Sequence, residues 1–150
     1  MAHSYINLAV HMVFSTKGRY PFLVEEVRPN LYAYIGGILK GLGCVPIIIN
    51  GTPDHIHSLA MMSATRALSD TLRDMKACSS GWVHREYPQL GRFGWQTGYG
   101  AFSVSKMGIE VVQAYIMRQE AHHERVTYQQ EFLRLLEEAG IPYDSRCVWD

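Results

Sequence analysis

Apolar residues in this chain change spacing several times, and each change marks a predicted element. The segment SYINLAVHMVFSTKG alternates imperfectly and is rich in β-formers, which predicts a strand over about residues 5 to 15 that turns at Lys17, Gly18 and Arg19. From Val24 to Leu42, residues Val27, Leu31, Tyr34, Ile35, Ile38, Leu39 and Leu42 recur at helical spacing, with Gly43 as the stop. CVPIIIN and HIHSLAMM are short apolar strands joined by GTPD, a turn with Gly, Pro and Asp in succession, and so predict a hairpin. Pro46 places the first of them at an edge. A second helix follows in SATRALSDTLRDMKACSSGWVHREY, with Ala67, Leu68, Leu72 and Met75 inward and Ser63 or Thr65 as cap. After a Gly- and Pro-punctuated loop, GYGAFSVS reads as a fourth strand, and a third helix runs from Lys106 to about Glu124 with Ile109, Val112 and Ile116 inward and Met117 a further candidate for that face. TYQQEFLRLLEEAG predicts a final helix ending at Gly140, and IPYDSRCVWD an extended tail.

The resulting order, β-α-β-β-α-β-α-α, predicts an α+β fold: a ferredoxin-like split βαβ, with helices on an antiparallel sheet and a C-terminal helix added. The first and third strands are then central neighbours. Residues 1 to 150 read as one domain, and 47% hydrophobic with 19% charged residues is the composition of a globular chain that needs no disulfide or structural metal. No apolar run approaches a membrane span and no basic leader precedes the apolar N-terminal segment, so a cytoplasmic protein is expected. Cys44, Cys78 and Cys147 are odd in number and lack CxxC spacing, so neither a zinc knuckle nor a disulfide framework is indicated; they read as reduced and structural.

Strand geometry makes PDHIHSL the first candidate for chemistry. Side chains two residues apart share a face, about 7 Å apart at roughly 3.3 Å per residue, so His55 and His57 point together while Ile56 points to the core. Neutral imidazole is the commonest metal ligand, and the pair lies beside an Asp-containing turn. The third helix offers further groups. Tyr115 and Gln119 are four residues apart and so stack on one helical face, a phenol with a neutral oxygen ligand, and Arg118 stands alongside.

These segments resemble a known family. PDHIHSL is similar to the histidine-hydrophobic-histidine (HUH) motif. FGWQTGYGAFSVS followed by VVQAYIMRQEAHH resembles the signature of single-tyrosine HUH transposases, the insertion-sequence-200/605-like group that includes the REP-associated tyrosine transposases. HMVFSTKGRYPFL resembles that family's first strand and turn, and the similarity spans about residues 5 to 130.

The resemblance implies that His55, His57 and Gln119 hold a divalent ion and that Tyr115 attacks single-stranded DNA, leaving a 5′-phosphotyrosine and a free 3′-hydroxyl. Ligands without negative charge imply modest affinity, suited to Mg²⁺ or Mn²⁺. It also implies hairpin DNA as partner and a homodimer whose sites are shared between subunits, Tyr115 of one chain serving the histidines of the other.

Net charge is zero, but residues 1 to 119 carry +4 and residues 120 to 150 carry −4, so the body is mildly basic and the tail acidic. Candidate DNA contacts are Lys17, Arg19, Arg66, Arg73, Lys76, Arg85 and Arg92. His11 either borders the site or, the favoured reading, is a hydrogen-bonded structural histidine, and His122 and His123 are expected to lie on the surface. Trp95, Tyr99 and Phe102 either stack on bases or fill core. Two rival readings are a non-enzymatic ferredoxin-like domain binding single-stranded nucleic acid and a replication initiator or relaxase. The first leaves the Tyr115 and Gln119 pairing without purpose, and the single tyrosine placed after the histidines argues against the second.

Overall fold

The computed structural model describes residues 2–150. Strands β1 (Ala9–Ser15), β2 (Val45–Thr52), β3 (His55–Met61) and β4 (Gly100–Val104) form one antiparallel sheet in the order β2-β3-β1-β4. The helices are α1 (Arg28–Gly41), α2 (Leu68–Glu86), α3 (Ile109–Met117), α4 (Gln119–His123) and α5 (Tyr128–Glu138). With β1 and β3 central and β2 at an edge, this is the expected ferredoxin-like α+β arrangement. Among the described residues no helix is long and apolar enough to cross a membrane.

The alternation of strand side chains divides the molecule into two unlike halves. Met12 and Phe14 of β1 and Ile56 and Ala60 of β3 share one face, where they join Leu31, Ile35 and Leu39 of α1 and Leu72, Met75 and Val83 of α2 in the main core. Val13 faces the other way and packs with Tyr128, Phe132 and Leu136 of α5 in a smaller cluster. On that second face the β1–β3 register sets His57 opposite Val13 and His55 opposite Ser15.

Several boundaries differ from the periodicity. β1 begins at Ala9, because residues 2–8 are exposed and make no ladder. α1 begins at Arg28 with a proline in its first turn, where a missing N–H costs nothing. Ser63 and Thr65 do not cap α2; their hydroxyls bond each other, and Ala67 holds the cap position. The helix expected to run through to Glu124 breaks at Arg118 (φ −96°, ψ 18°). Asn50 of β2 explains the break: its Nδ2 donates to the carbonyls of Ile116 (2.9 Å) and Met117 (3.2 Å) in the last turn of α3. α5 starts on a Thr127–Gln130 capping box and stops before Gly140, whose φ is +68°. The tail is not extended: residues 145–149 turn, and Val148 and Trp149 pack on the α5 cluster. Of the cysteines only Cys44 is buried; Cys78 and Cys147 are exposed, and all are free.

The closest backbone approach in the histidine hairpin is at Gly51. A Cβ there would collide with the His55 carbonyl and stand 2.9 Å from Ile56 Cα, and backbone atoms cannot swing aside. Gly51→Ala should therefore cost about 2 kcal/mol or more and lower the melting temperature by roughly 5 °C. Gly37→Ala, in α1 with nothing within 4 Å of the new Cβ, should gain about 0.5–1 kcal/mol. Thermal unfolding followed by circular dichroism reads both, and a Gly51→Ala protein that melts like its parent contradicts this packing.

Candidate active site

Strand geometry sends His55 and His57 to one face, and the layer above buries both completely. His11, also buried on that face, stacks on His57 with ring centroids 5.0 Å apart and sets its Nε2 2.7 Å from His57 Nδ1. The hairpin turn orients His55: its Nδ1 lies 2.7 Å from Asp54 Oδ1 and 2.8 Å from Thr52 Oγ1, and Thr52 donates to Asp54 at 2.8 Å.

The helices over this face converge on one carboxylate. Glu131 of α5 is wholly buried, because it occupies the inward stripe formed with Tyr128, Phe132 and Leu136. Its Oε1 lies 2.9 Å from His57 Nε2, 3.0 Å from His123 Nε2 and 3.4 Å from His55 Nε2. Its Oε2 accepts from Gln119 Nε2 at 3.1 Å and from the Tyr115 hydroxyl, with His122 Nε2 at 3.4 Å. Gln119 Oε1 is 3.1 Å from His55 Nε2. Tyr115 and Gln119 thus meet as their spacing predicts, although a helix break lies between them.

Protonation follows from these partners. Burial alone would depress the His55 pKa, but the hydrogen bonds and charges of Asp54 and Glu131 outweigh it and raise the pKa to about 9, so both ring nitrogens donate. Burial dominates at His57 and lowers its pKa to about 4. It is neutral, with Nε2–H toward Glu131 and Nδ1 accepting from His11, whose own pKa burial lowers to about 3. Burial opposes ionisation of Glu131, yet His123, His55 and His57 together hold its carboxyl far below the usual range. Tyr115 is pushed up, first by burial and then by the adjacent carboxylate.

The donors suit a cation. One ligand atom each from His55, His57, His123 and Glu131 lie within 4.8 Å of one another, a grouping of nitrogen and oxygen donors that could share one ion. His122 Nε2 is buried there without a hydrogen-bond partner. Glu131 is the one carboxylate among these donors.

The surface placement of His122 and His123 is corrected by the fold. The turn after Arg118 carries His123 inward, and His122 keeps 21% side-chain exposure at the rim. Glu131 has a legible signal, an acid in the apolar stripe of an amphipathic helix, which the acidic character of the tail conceals. His11 is hydrogen-bonded, as the favoured reading has it, and through His57 it also borders the site. Trp95 belongs to the main core, where its Nε1 donates to Ser79 at 2.9 Å; Phe102 packs on the α5 cluster, and Tyr99 is partly exposed.

The basic candidates scatter. Arg66 pairs with Asp74, and Arg73 with Asp70 and Asp74. Lys76 Nζ donates to the carbonyls of Gln96, Thr97 and Gly98, and burial lowers its pKa to about 8. Arg19 lies over the Trp149 ring at 5.5 Å. Lys17, Arg85 and Arg92 are exposed.

A buried histidine pair, a phenol and an amide thus converge on one carboxylate over one face of a ferredoxin-like sheet. The family described as Transposase IS200 like matches residues 4–119, and the chain belongs to it. The ISDra2 transposase TnpA of Deinococcus radiodurans is 28% identical over 124 residues, covering 79% of this chain and 86% of its own. A crystal structure from Deinococcus radiodurans R1, provisionally described as a transposase, superposes with a TM-score of 0.64 at 24% identity over 79% of this chain and 96% of that one. A REP-associated tyrosine transposase bound to a REP hairpin shares the fold with a TM-score of 0.61 at 16% identity, over 84% of this chain and 74% of that one. Glu131 lies beyond the segment the family matches.

The site makes stability depend on pH in both directions. His55 keeps its proton to about pH 9 when folded and to 6.5 ordinarily, so its contribution is complete below 6.5 and is lost as pH rises toward 9. His57 and His11, with folded values of about 4 and 3, refuse protons that the unfolded chain accepts below 6.5, so acid destabilises; the depressed Glu131 adds to this below its ordinary 4.5. Chelator-treated protein should be most stable near pH 6.5 and lose on the order of 2 kcal/mol toward either side. Denaturant midpoints from pH 4 to 9 measure this, and Glu131→Gln should flatten the alkaline limb. Stability that climbs steadily above pH 6.5 contradicts the pairing of His55 with Asp54 and Glu131.

Proposed function

We propose that this chain cleaves and rejoins single-stranded DNA at hairpin-marked ends, in the cytoplasm, with Tyr115 as nucleophile and His55, His57 and Gln119 as ligands of a divalent ion. The observation that carries this reading is the convergence of Tyr115, Gln119, His55 and His57, from two helices and a strand, on one buried carboxylate from a third helix. Family membership supports the reaction class, and the relative solved with a bound hairpin supports the form of DNA.

Tyr115 Oη attacks the scissile phosphorus as the bond to the 3′ oxygen breaks. The phenol loses its proton and the departing 3′ oxygen gains one, which leaves a 5′-phosphotyrosine and a free 3′-hydroxyl. Ester is exchanged for ester, so a 3′-hydroxyl from another end reverses the step and joins new DNA without ATP. A groove of about 770 Å³ beside Tyr115, with Arg118, Arg125, Val111 and Val126 on its walls, has room for the strand and cations for its phosphates. His55, His57 and Gln119, joined by Glu131 and His123, would hold Mn²⁺ or Mg²⁺. Such an ion supplies positive charge that polarises the scissile phosphate and offsets Glu131 as negative charge develops on the phenol.

The working form is a homodimer. Its support is the apolar surface at α3, where Met107 is 92%, Val111 71% and Met117 64% exposed, and only Ile116 of the helix is buried. Within one chain Tyr115 already reaches its own cluster, and Asn50 ties α3 to β2 of the same chain. This supports assembly of each site in cis rather than by exchange between subunits.

A hairpin-bearing single strand with Mn²⁺ should give a covalent adduct, and Tyr115→Phe none; adduct at the parental level in that variant removes Tyr115 from the mechanism. His57→Ala and Gln119→Ala should lower cleavage roughly 100-fold or more while DNA still binds, because affinity comes chiefly from phosphate and base contacts. Loss of binding with unchanged metal affinity would make the histidines DNA contacts instead.

Co-expression of His57→Ala with Tyr115→Phe and purification of the mixed dimer tests the arrangement of subunits. In cis every site keeps one defect, so no cleavage is expected. Recovery of cleavage shows sharing across the dimer, and a monomer by sedimentation removes the dimer.

A further inference from the structure

A cleft of about 920 Å³ opens where β1 runs into its turn, away from the histidine face, and is lined by Lys17, Tyr20, Phe22, Gln89, Leu90 and Arg92 among others. It combines two aromatic rings with two cations and no acid. Neither cation has an ion-pair partner among the described residues.

Tyr20 is 62% exposed, yet it is fixed in place. Its ring lies 4.5 Å from that of Phe22, and the series continues inward through Phe93 at 5.6 Å, Trp95 at 4.9 Å and Phe14 at 4.8 Å. Its carbonyl accepts from Thr16 Oγ1 at 2.6 Å and from Phe22 N at 2.8 Å. The preceding turn holds Gly18 and Arg19 at φ +64° and +59°. A solvent-facing ring backed by a ladder of core rings is ordered before any ligand arrives, so little freedom is lost when a flat group stacks on it.

The platform also connects to the catalytic face. Thr16 N–H donates to the Asp54 carbonyl at 2.9 Å, and the Asp54 carboxylate orients His55. A shallower groove of about 360 Å³ runs from Pro21, next to Tyr20, past Asp54 to His123.

We infer that this cleft holds an unpaired nucleotide of the DNA substrate, its base stacked on Tyr20 and its phosphates against Lys17 and Arg92. The inference rests on the DNA-cleavage reading above and extends it to a second contact. An aromatic face suits any base, while cations beside it suit the backbone that joins bases. An acidic peptide would use the cations and leave the rings uncovered.

The test uses the Tyr115→Phe chain, which cannot cleave, with a hairpin carrying a single-stranded extension and the same hairpin blunt-ended. Anisotropy should show Tyr20→Ala weakening the extended DNA about tenfold and the blunt DNA little, with Tyr20→Phe at parental affinity. Lys17→Ser with Arg92→Ser should reduce the salt slope for the extended DNA by about 1.4. 2-Aminopurine placed along the extension should be quenched at one position, and Tyr20→Ala should restore its emission. Parental affinity in both variants with no quenched position overturns the cleft, and a preference for an acidic peptide does the same. Adduct formation by the Tyr115 chain reads the cleavage proposal separately. Adduct without any Tyr20 effect overturns the cleft alone; Tyr20-dependent binding without adduct overturns cleavage alone. Failure of the parental chain to bind either DNA overturns both.

Discussion

A carboxylate taken wholly out of water costs several kcal/mol unless charge and hydrogen bonds replace its hydration, and Glu131 meets that condition only because every element over the histidine face sends it a partner. β3 contributes His55 and His57, α3 contributes Tyr115, and α4 contributes Gln119 and His123. The same charge assigns the imidazole states, since it helps His55 keep its proton while His57, more fully desolvated, stays neutral. One interaction therefore fixes side-chain orientation, protonation and the docking of α5 together.

The two faces of the sheet consequently differ in what holds them. On the α1–α2 side a large cluster of buried apolar residues, from Met12 to Phe93, forms the main core. On the other side Val13, Tyr128, Phe132 and Leu136 form a smaller buried apolar cluster, Leu59 is buried on the same face, and polar contacts to Glu131 complete the layer. Polar contacts exchange for water or ligand at lower net cost than a core can be opened. The layer that carries Tyr115, Gln119 and Glu131 is thus held more by polar contacts than the scaffold beneath it.

Legibility in the sequence follows the same division. Period-two and period-3.6 patterns depend on burial against one core, so the sheet order, α1, α2 and the shared face of His55 and His57 are readable from spacing alone. The break at Arg118 is not, because its cause is Asn50, far away in sequence and acting through hydrogen bonds that leave no local pattern. The same break turns His123 inward, which no continuous-helix argument finds. Glu131 was readable in principle as an acid at i+3 from Tyr128 and one before Phe132, but its charge resembles the solvated acids around it until tertiary partners are known. The pairing of Tyr115 with Gln119 survives because four residues still bring two side chains to one acceptor across a bend.

Zero net charge sits easily with a DNA partner once the acids are located. Glu131 and Asp54 are engaged by histidines, and Asp70 and Asp74 by Arg66 and Arg73. Those pairings remove both signs from play. Lys17 and Arg92 then stand unopposed at one cleft, and Arg118 and Arg125 line the groove beside Tyr115 together with Glu124, with no ion-pair partner for any of these cations among the described residues. A phosphate within a Debye length of about 8 Å responds to this local distribution and not to the sum over the chain. Of the acidic residues concentrated after Gln119, Glu124 alone lines the groove beside Tyr115 and none lines the cleft, so they neutralise the total far more than they neutralise these two surfaces.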